Sequence, residues 1–303
     1  MMNIVNKLVY IICLIVVIGS MSNAQEGKSE ETGKNAKSYL QGKTRKELYQ
    51  EFKLVAGSEV GGMFECARFY REANMNKEAI EVYNEIIDGK NISNGDKGTA
   101  RRDLAFLFFK LKNYDKSISY CNDILNNPTA HELTKSGAYD IKVDDLLELK
   151  KYQEAIETIK FWNELVKKSK QPEMVYPFGK SMPGGEHFSA KQYLAIIYQA
   201  QGKYEDAIKV RREIIEWVEK SVSPDKKRGR GYESYFGIEY LKEIGNCYKE
   251  MKKYNLALEE YKKALTNTNN DAILGHLAKD KEWKNQKIQE LGKLIEECKQ
   301  KIK

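Results

Sequence analysis

Apolar and polar positions along the chain recur in one frame five times. A core-forming residue is followed by a small one. An aromatic residue or Leu comes three positions later, a Tyr six further, and another small residue three beyond that. Four copies read Cys66-Ala67, Tyr70, Asn76, Ala79; Leu104-Ala105, Phe108, Tyr114, Ser117; Leu194-Ala195, Tyr198, Tyr204, Ala207; and Ile244-Gly245, Tyr248, Tyr254, Ala257. A degenerate copy, Lys142-Val143, Leu146, Tyr152, Ala155, keeps only its second half. Steps of three keep residues on one helix face. The six-residue step, which carries Asn74, Asn113, Gly202 or basic residues, marks a helix end and a tight turn.

Two antiparallel helices joined by so short a turn close up only where side chains are small. Ala67, Ala105, Ala195 and Gly245 are therefore expected to face Ala79, Ser117, Ala207 and Ala257, with Tyr70, Phe108, Tyr198 and Tyr248 filling the gaps one turn along. The hairpins are predicted near 60–93, 98–131, 136–169, 188–221 and 238–271. The small second-helix residues 79, 117, 155, 207 and 257 lie 38, 38, 52 and 50 apart, so the excess length is expected in two loops. These are 167–187, with Pro172, Pro177, Pro183 and Gly184-Gly185, and 220–231, with Pro224.

The ends read differently. Residues 25–40 are polar and glycine-containing and predict a disordered tether. In 41–58, Thr44 and Glu47 have capping-box spacing ahead of a stripe of Leu48, Phe52 and Val55, which predicts an N-terminal capping helix. In 272–303, Ile288, Leu291, Ile295, Cys298 and Ile302 form a narrow apolar seam. That seam suits a capping helix or, with two heptads, a short coiled coil.

The segments GKYEDAI (202–208), KKYNLALEEYKKAL (252–265) and NKEAIEVYNEII (76–87) resemble second helices of tetratricopeptide repeats, and the last copy, with Tyr261 and Ala264 after Ala257, follows that pattern best. The resemblance covers about two thirds of the chain. It departs where the family has Trp, here Met63, Arg101, Tyr139, Lys191 and Leu241, and in lacking the terminal Pro apart from Pro128. It implies an all-α fold, a right-handed α-solenoid of about five tetratricopeptide-like helix hairpins with terminal capping helices. It also implies a protein-binding scaffold, not an enzyme, with ligands along a concave groove lined by the first helices. Carried over by position, that groove receives Phe64, Arg68, Arg71, Arg102, Phe106 and Phe109, then Asp140, Asp144 and Leu147, then Gln192, Ile196 and Gln199, and finally Lys242, Asn246 and Lys249. Phe106 and Phe109 are either a partner's anchor or packing for the next repeat. Lys242 with Asn246 is similar to part of the carboxylate-gripping set of chaperone-binding members, without its companion bases.

Composition narrows the function further. The 51 basic and 44 acidic residues give a net charge of only +7, so no nucleic-acid partner is expected. Lys167, Lys168 and Lys170 on one loop, with Lys226, Lys227, Arg228 and Arg230 on the next, would make a basic edge. Such an edge suits an anionic glycan, a lipid headgroup at a membrane surface, or an acidic partner. Lys7, the apolar run Leu8–Gly19 and Ser22-Asn23-Ala24 read as a cleaved signal peptide over 1–24, hence a periplasmic or secreted protein. An uncleaved N-terminal anchor is the alternative.

The chemistry-bearing residues are scattered. Cys66, Cys121, Cys247 and Cys298 fall on packing positions and read as buried thiols, although an exported chain would permit disulfides. No Cys-x-x-Cys, nucleophile elbow or phosphate loop is present, and His131, His187 and His276 lie apart, so neither cofactor nor metal is expected. Asp144-Asp145 and Glu259-Glu260 are read as solvated carboxylates, because neighbours on a helix diverge.

Overall fold

The structure, a computed structural model, describes residues 26–168, 188–221, 230–269 and 278–302. Among these there are thirteen helices and no strand. The chain divides into two compact units, Met1–Leu149 and Lys150–Lys303, the division falling in the turn of the degenerate copy. The first unit holds α1 (Glu26–Leu40), α2 (Arg45–Ala56), α3 (Glu59–Glu72), α4 (Asn76–Asp88), α5 (Asn94–Lys110), α6 (Tyr114–Leu125) and α7 (Glu132–Glu148). The second holds α8 (Tyr152–Lys168), α9 (Phe188–Ala200), α10 (Tyr204–Ser221), α11 (Arg230–Glu250), α12 (Tyr254–Asn269) and α13 (Ala278–Ile302). Within each unit consecutive helices from α2 onward pack on one another; in the first unit α1 packs chiefly on α3, and α5 also meets α7. Each unit is thus a stack of helix hairpins, the arrangement of an α-solenoid.

The hairpin turns share one closure. Asn74, Lys112, Lys150, Gly202 and Lys252 all adopt the left-handed conformation, with φ between 57° and 72°. In four of the turns two backbone bonds then close a Schellman motif. The amides of Met75, Asn113, Lys203 and Lys253 donate to the carbonyls of Tyr70, Phe108, Tyr198 and Tyr248 at 2.8–2.9 Å. The amides of Asn74, Lys112, Gly202 and Lys252 donate to Arg71, Phe109, Gln199 and Lys249 at 2.9–3.0 Å. The repeated aromatic is therefore both a packing residue and the acceptor that stops the first helix.

Small residues do lie at the helix contacts. Ala67, Ala79, Ala105, Ser117, Ala155, Ala207 and Ala257 are fully buried, and the Ser117 hydroxyl donates to the Ala105 carbonyl at 2.9 Å. Gly245 lies against the ring of Tyr261, where an added Cβ would clash with Cε1 and Cδ1; that ring is fully buried.

Several expectations are corrected. The stretch 25–40 is not a disordered tether, since 26–40 form α1, whose last turns bury Ala36 and Leu40 in the first unit's core. Only that half carries an apolar stripe, which the polar remainder masks. The 220–231 stretch is not all loop: α10 runs for 18 residues to Ser221 and α11 starts at Arg230 and runs for 21. Lys167 and Lys168 likewise belong to the last turn of α8. The excess repeat length thus sits partly in lengthened helices. Thr44 and Glu47 form both bonds of the capping box, and Leu48 and Phe52 are buried as expected. The α13 seam is used internally: Leu291, Ile295 and Cys298 are buried with Ala257, Tyr261 and Ala264. All four cysteines are free and buried. The signal segment lies outside the described residues.

One member of each adjacent carboxylate pair is solvated as expected, Glu259 exposed and Asp144 half-buried, while the other is buried. Glu260, 3% exposed, receives Arg212 and Lys263 at 2.9 Å. Asp145 is fully buried on α7 with neither oxygen hydrogen-bonded, because the hydroxyl of neighbouring Ser117 is turned to Ala105. Burial pushes its carboxyl up to about 7, and the Asp144 charge adds to the rise.

Two predictions follow from this packing. Gly245→Ala should destabilise the protein by about 1–3 kcal/mol in urea unfolding through overpacking against Tyr261; an unchanged midpoint would contradict the Gly245–Tyr261 contact. For Asp145 the folded-state pKa lies above the unfolded one, so its contribution is fullest below about pH 4, falls as pH rises to about 7, and is flat beyond. Asp145→Asn should match the parent near pH 4 and exceed its stability at pH 8 by on the order of 1–3 kcal/mol. A stability difference between the two that does not vary with pH would refute it.

Candidate functional site

The first helices α3 and α5 carry six of the expected groove residues, and they come together through specific contacts. The Arg71 guanidinium lies 5.9 Å from the centroid of the Phe106 ring, and the Lys110 ammonium lies 5.1 Å from the same ring. Phe106 remains 37% exposed, whereas its helix neighbours Leu107 and Phe108 are buried. Lys110 sits four residues after Phe106 on α5, so both project from one helix face. Arg71 lies in the last turn of α3 and also reaches the hydroxyl of Tyr83, whose ionisation burial pushes up to about 12. The result is an open aromatic ring held between two cations from adjacent first helices.

The other four residues of this set are engaged in different ways. Arg68 is paired with Glu65 one turn away, its carboxylate 2.5 Å off, and lies over the Phe69 ring. Arg102 pairs with Asp103 at 3.0 Å, and its side chain lies on Gly137 of α7, where an added Cβ would come within 2.9 Å. Phe64 packs on the core, its ring 6.4 Å from that of Tyr83. Phe109 packs against the cluster of Cys121, Ile124 and Ala138, its ring 6.1 Å from that of Tyr114. The two readings of the phenylalanines thus divide: Phe109 is packing and Phe106 is open. Sequence reasoning missed Lys110, which the four-residue step from Phe106 could have revealed.

In the second unit Ile196 is 47% exposed, whereas the polar groove residues bind their own neighbours. Gln192 donates to the Tyr240 hydroxyl, and Arg211 donates to the Gln199 side-chain carbonyl. Arg211, 4% exposed, also approaches the Cys247 sulfur at 3.4 Å. Asn246 accepts the Tyr261 hydroxyl at 2.7 Å. Lys242 is held by Glu239 at 2.9 Å, Glu290 at 3.0 Å and Glu243 at 3.6 Å. Burial alone would lower its pKa, but the bonds and charges of Glu239 and Glu290 raise it. Lys287, 7% exposed, joins the network through Glu239 at 2.6 Å and through Glu290. Lys249 is tied to Glu297 at 2.9 Å.

Five of these unit-two bonds, Gln192–Tyr240, Arg212–Glu260, Lys242–Glu290, Lys249–Glu297 and Lys253–Glu205, join residues 48 apart. By that register α13 relates to α11 as α11 does to α9. The C-terminal helix therefore takes the place of one more first helix, which favours capping over a coiled coil.

Of the basic edge, Lys167 and Lys168 are exposed at the end of α8. Arg230 opens α11, and Lys170, Lys226, Lys227 and Arg228 lie outside the described residues. The thiols are unsuited to nucleophilic work: burial pushes Cys66 up to about 12 and raises the other three as well. Among the described residues no cluster of His, Cys, Asp and Glu could hold a metal ion, and no helix is long and apolar enough to cross a membrane.

Comparison with known proteins agrees with this geometry. A family model described as tetratricopeptide repeat matches residues 239–271, which span most of α11 and all of α12. The crystal structure of the apo form of RapI is similar in fold, with a TM-score of 0.52 at 16% sequence identity over 70% of this chain and 71% of that one. No curated protein matches the sequence. By its stacked hairpins, their shared turn and the matched repeat, the chain is a helical repeat protein of the tetratricopeptide type.

Proposed function

We propose that the chain is a non-catalytic scaffold that holds a protein or peptide segment on the α3–α5 face of its first unit. Phe106 carries this reading: a large aromatic, 37% exposed, fixed between Arg71 and Lys110 on a tightly packed support. Aromatic and arginine side chains on a rigid base dominate protein–protein binding energy. Stacked hairpins provide such a base, because each is ordered by its neighbours. The polar second-unit groove positions Gln192, Gln199, Lys242, Asn246 and Lys249 are tied to neighbouring side chains, so they support the stack, and Ile196, though exposed, offers no aromatic ring for cations to flank as Phe106 does.

The proposed setting is outside the cytoplasm, as an adaptor of the cell envelope or extracellular space. Its support is Lys7, the apolar run Leu8–Gly19 and the small residues Ser22-Asn23-Ala24.

Affinity capture with the full chain, run beside Phe106→Ala and a Lys167→Gln/Lys168→Gln variant, tests the reading. Phe106→Ala should keep the parent's helical spectrum and weaken the captured partner about tenfold or more, while the double lysine variant should capture as the parent does. Equal capture by the parent and Phe106→Ala would overturn the assignment of this face.

A further inference from the structure

Resting on that reading, we infer that the segment bound at Phe106 presents a carboxylate, an Asp or Glu side chain, next to an apolar side chain. The cations of this face differ in how they are neutralised. Arg68 and Arg102 each have a carboxylate of their own, Glu65 and Asp103. Arg71 and Lys110 have none among the described residues, and both converge on one exposed ring.

Two cations beside an aromatic face form a receptor with an apolar floor and a positive wall. Cation–π contact is worth on the order of 0.5–1 kcal/mol at such exposure, and it leaves the donor hydrogens of both cations able to take a carboxylate. An incoming apolar side chain covers the ring and lowers the local dielectric, which strengthens the adjacent charge pair.

Selection of a phage-displayed random twelve-residue peptide library on the full chain tests this, followed by titration of the best synthetic peptide at low and high salt. Peptides whose binding requires Phe106 should be enriched in Asp or Glu within two positions of a large apolar residue. Replacing that acid by its amide should weaken binding about tenfold, and Lys110→Gln, a change at an exposed side chain, should weaken it severalfold. On Lys110→Gln the amide peptide should lose less affinity than on the parent, since the two changes remove the same pair. Phe106-dependent peptides with no acidic preference, or an amide peptide that binds as well as the acid, would overturn the inference and leave the Phe106 face standing as a binding site. Failure to select any Phe106-dependent peptide would overturn both.

Discussion

A helix can fold back on its successor within three residues only if the chain turns through a left-handed residue and the exposed carbonyls at the helix end find donors. Five turns meet the first condition, and the Schellman bonds onto Tyr70, Phe108, Tyr198 and Tyr248 meet the second in four. Three of the left-handed residues are lysines, so the backbone holds an unfavourable conformation at Lys112, Lys150 and Lys252 because the helices on either side are fixed by packing. Once the turn is set, the distance between the two helices is set too. Only small residues then fit at Ala67 and Ala79, or at Ala105 and Ser117, and Gly245 is needed where the Tyr261 ring crosses.

Polar groups are distributed around this packing with different results in the two units. The second unit is stitched by bonds of constant register, including the Lys242–Glu290 and Lys249–Glu297 pairs that dock α13. The buried lysines there are matched by carboxylates, as charges held from water must be. In the first unit, Asp145 is enclosed without a hydrogen bond and holds its proton up to about pH 7. On that unit's first-helix face, the Phe106 ring lies open between two cations.

The sequence made the hairpins legible because their rule is local: a small residue, an aromatic three later and a turn six beyond can be read without knowing any long-range contact. The Thr44–Glu47 capping box and the Leu48–Phe52 stripe are equally local. What was not legible depends on neighbours far away in the chain. The first turns of α1 have no apolar stripe and read as disordered, yet Ala36 and Leu40 are held in the core by helices formed later. Helical spacing alone could not show that Asp145 turns inward while Asp144 beside it does not, nor that Gln192, Gln199, Lys242 and Asn246 have partners up to 48 residues away. Of the candidate site, Phe106 and Arg71 were readable from the repeat. Lys110 was not selected, because it occupies a position that the repeat leaves free.

The shared turn is accessible to amide hydrogen exchange. If the hairpins close as described, the amides of Met75, Asn113, Lys203 and Lys253 exchange as slowly as those in the neighbouring helix interiors, because each donates to a carbonyl five residues back. Exchange at unprotected rates at these four positions, with the helices themselves protected, would contradict the stacked-hairpin architecture at its root.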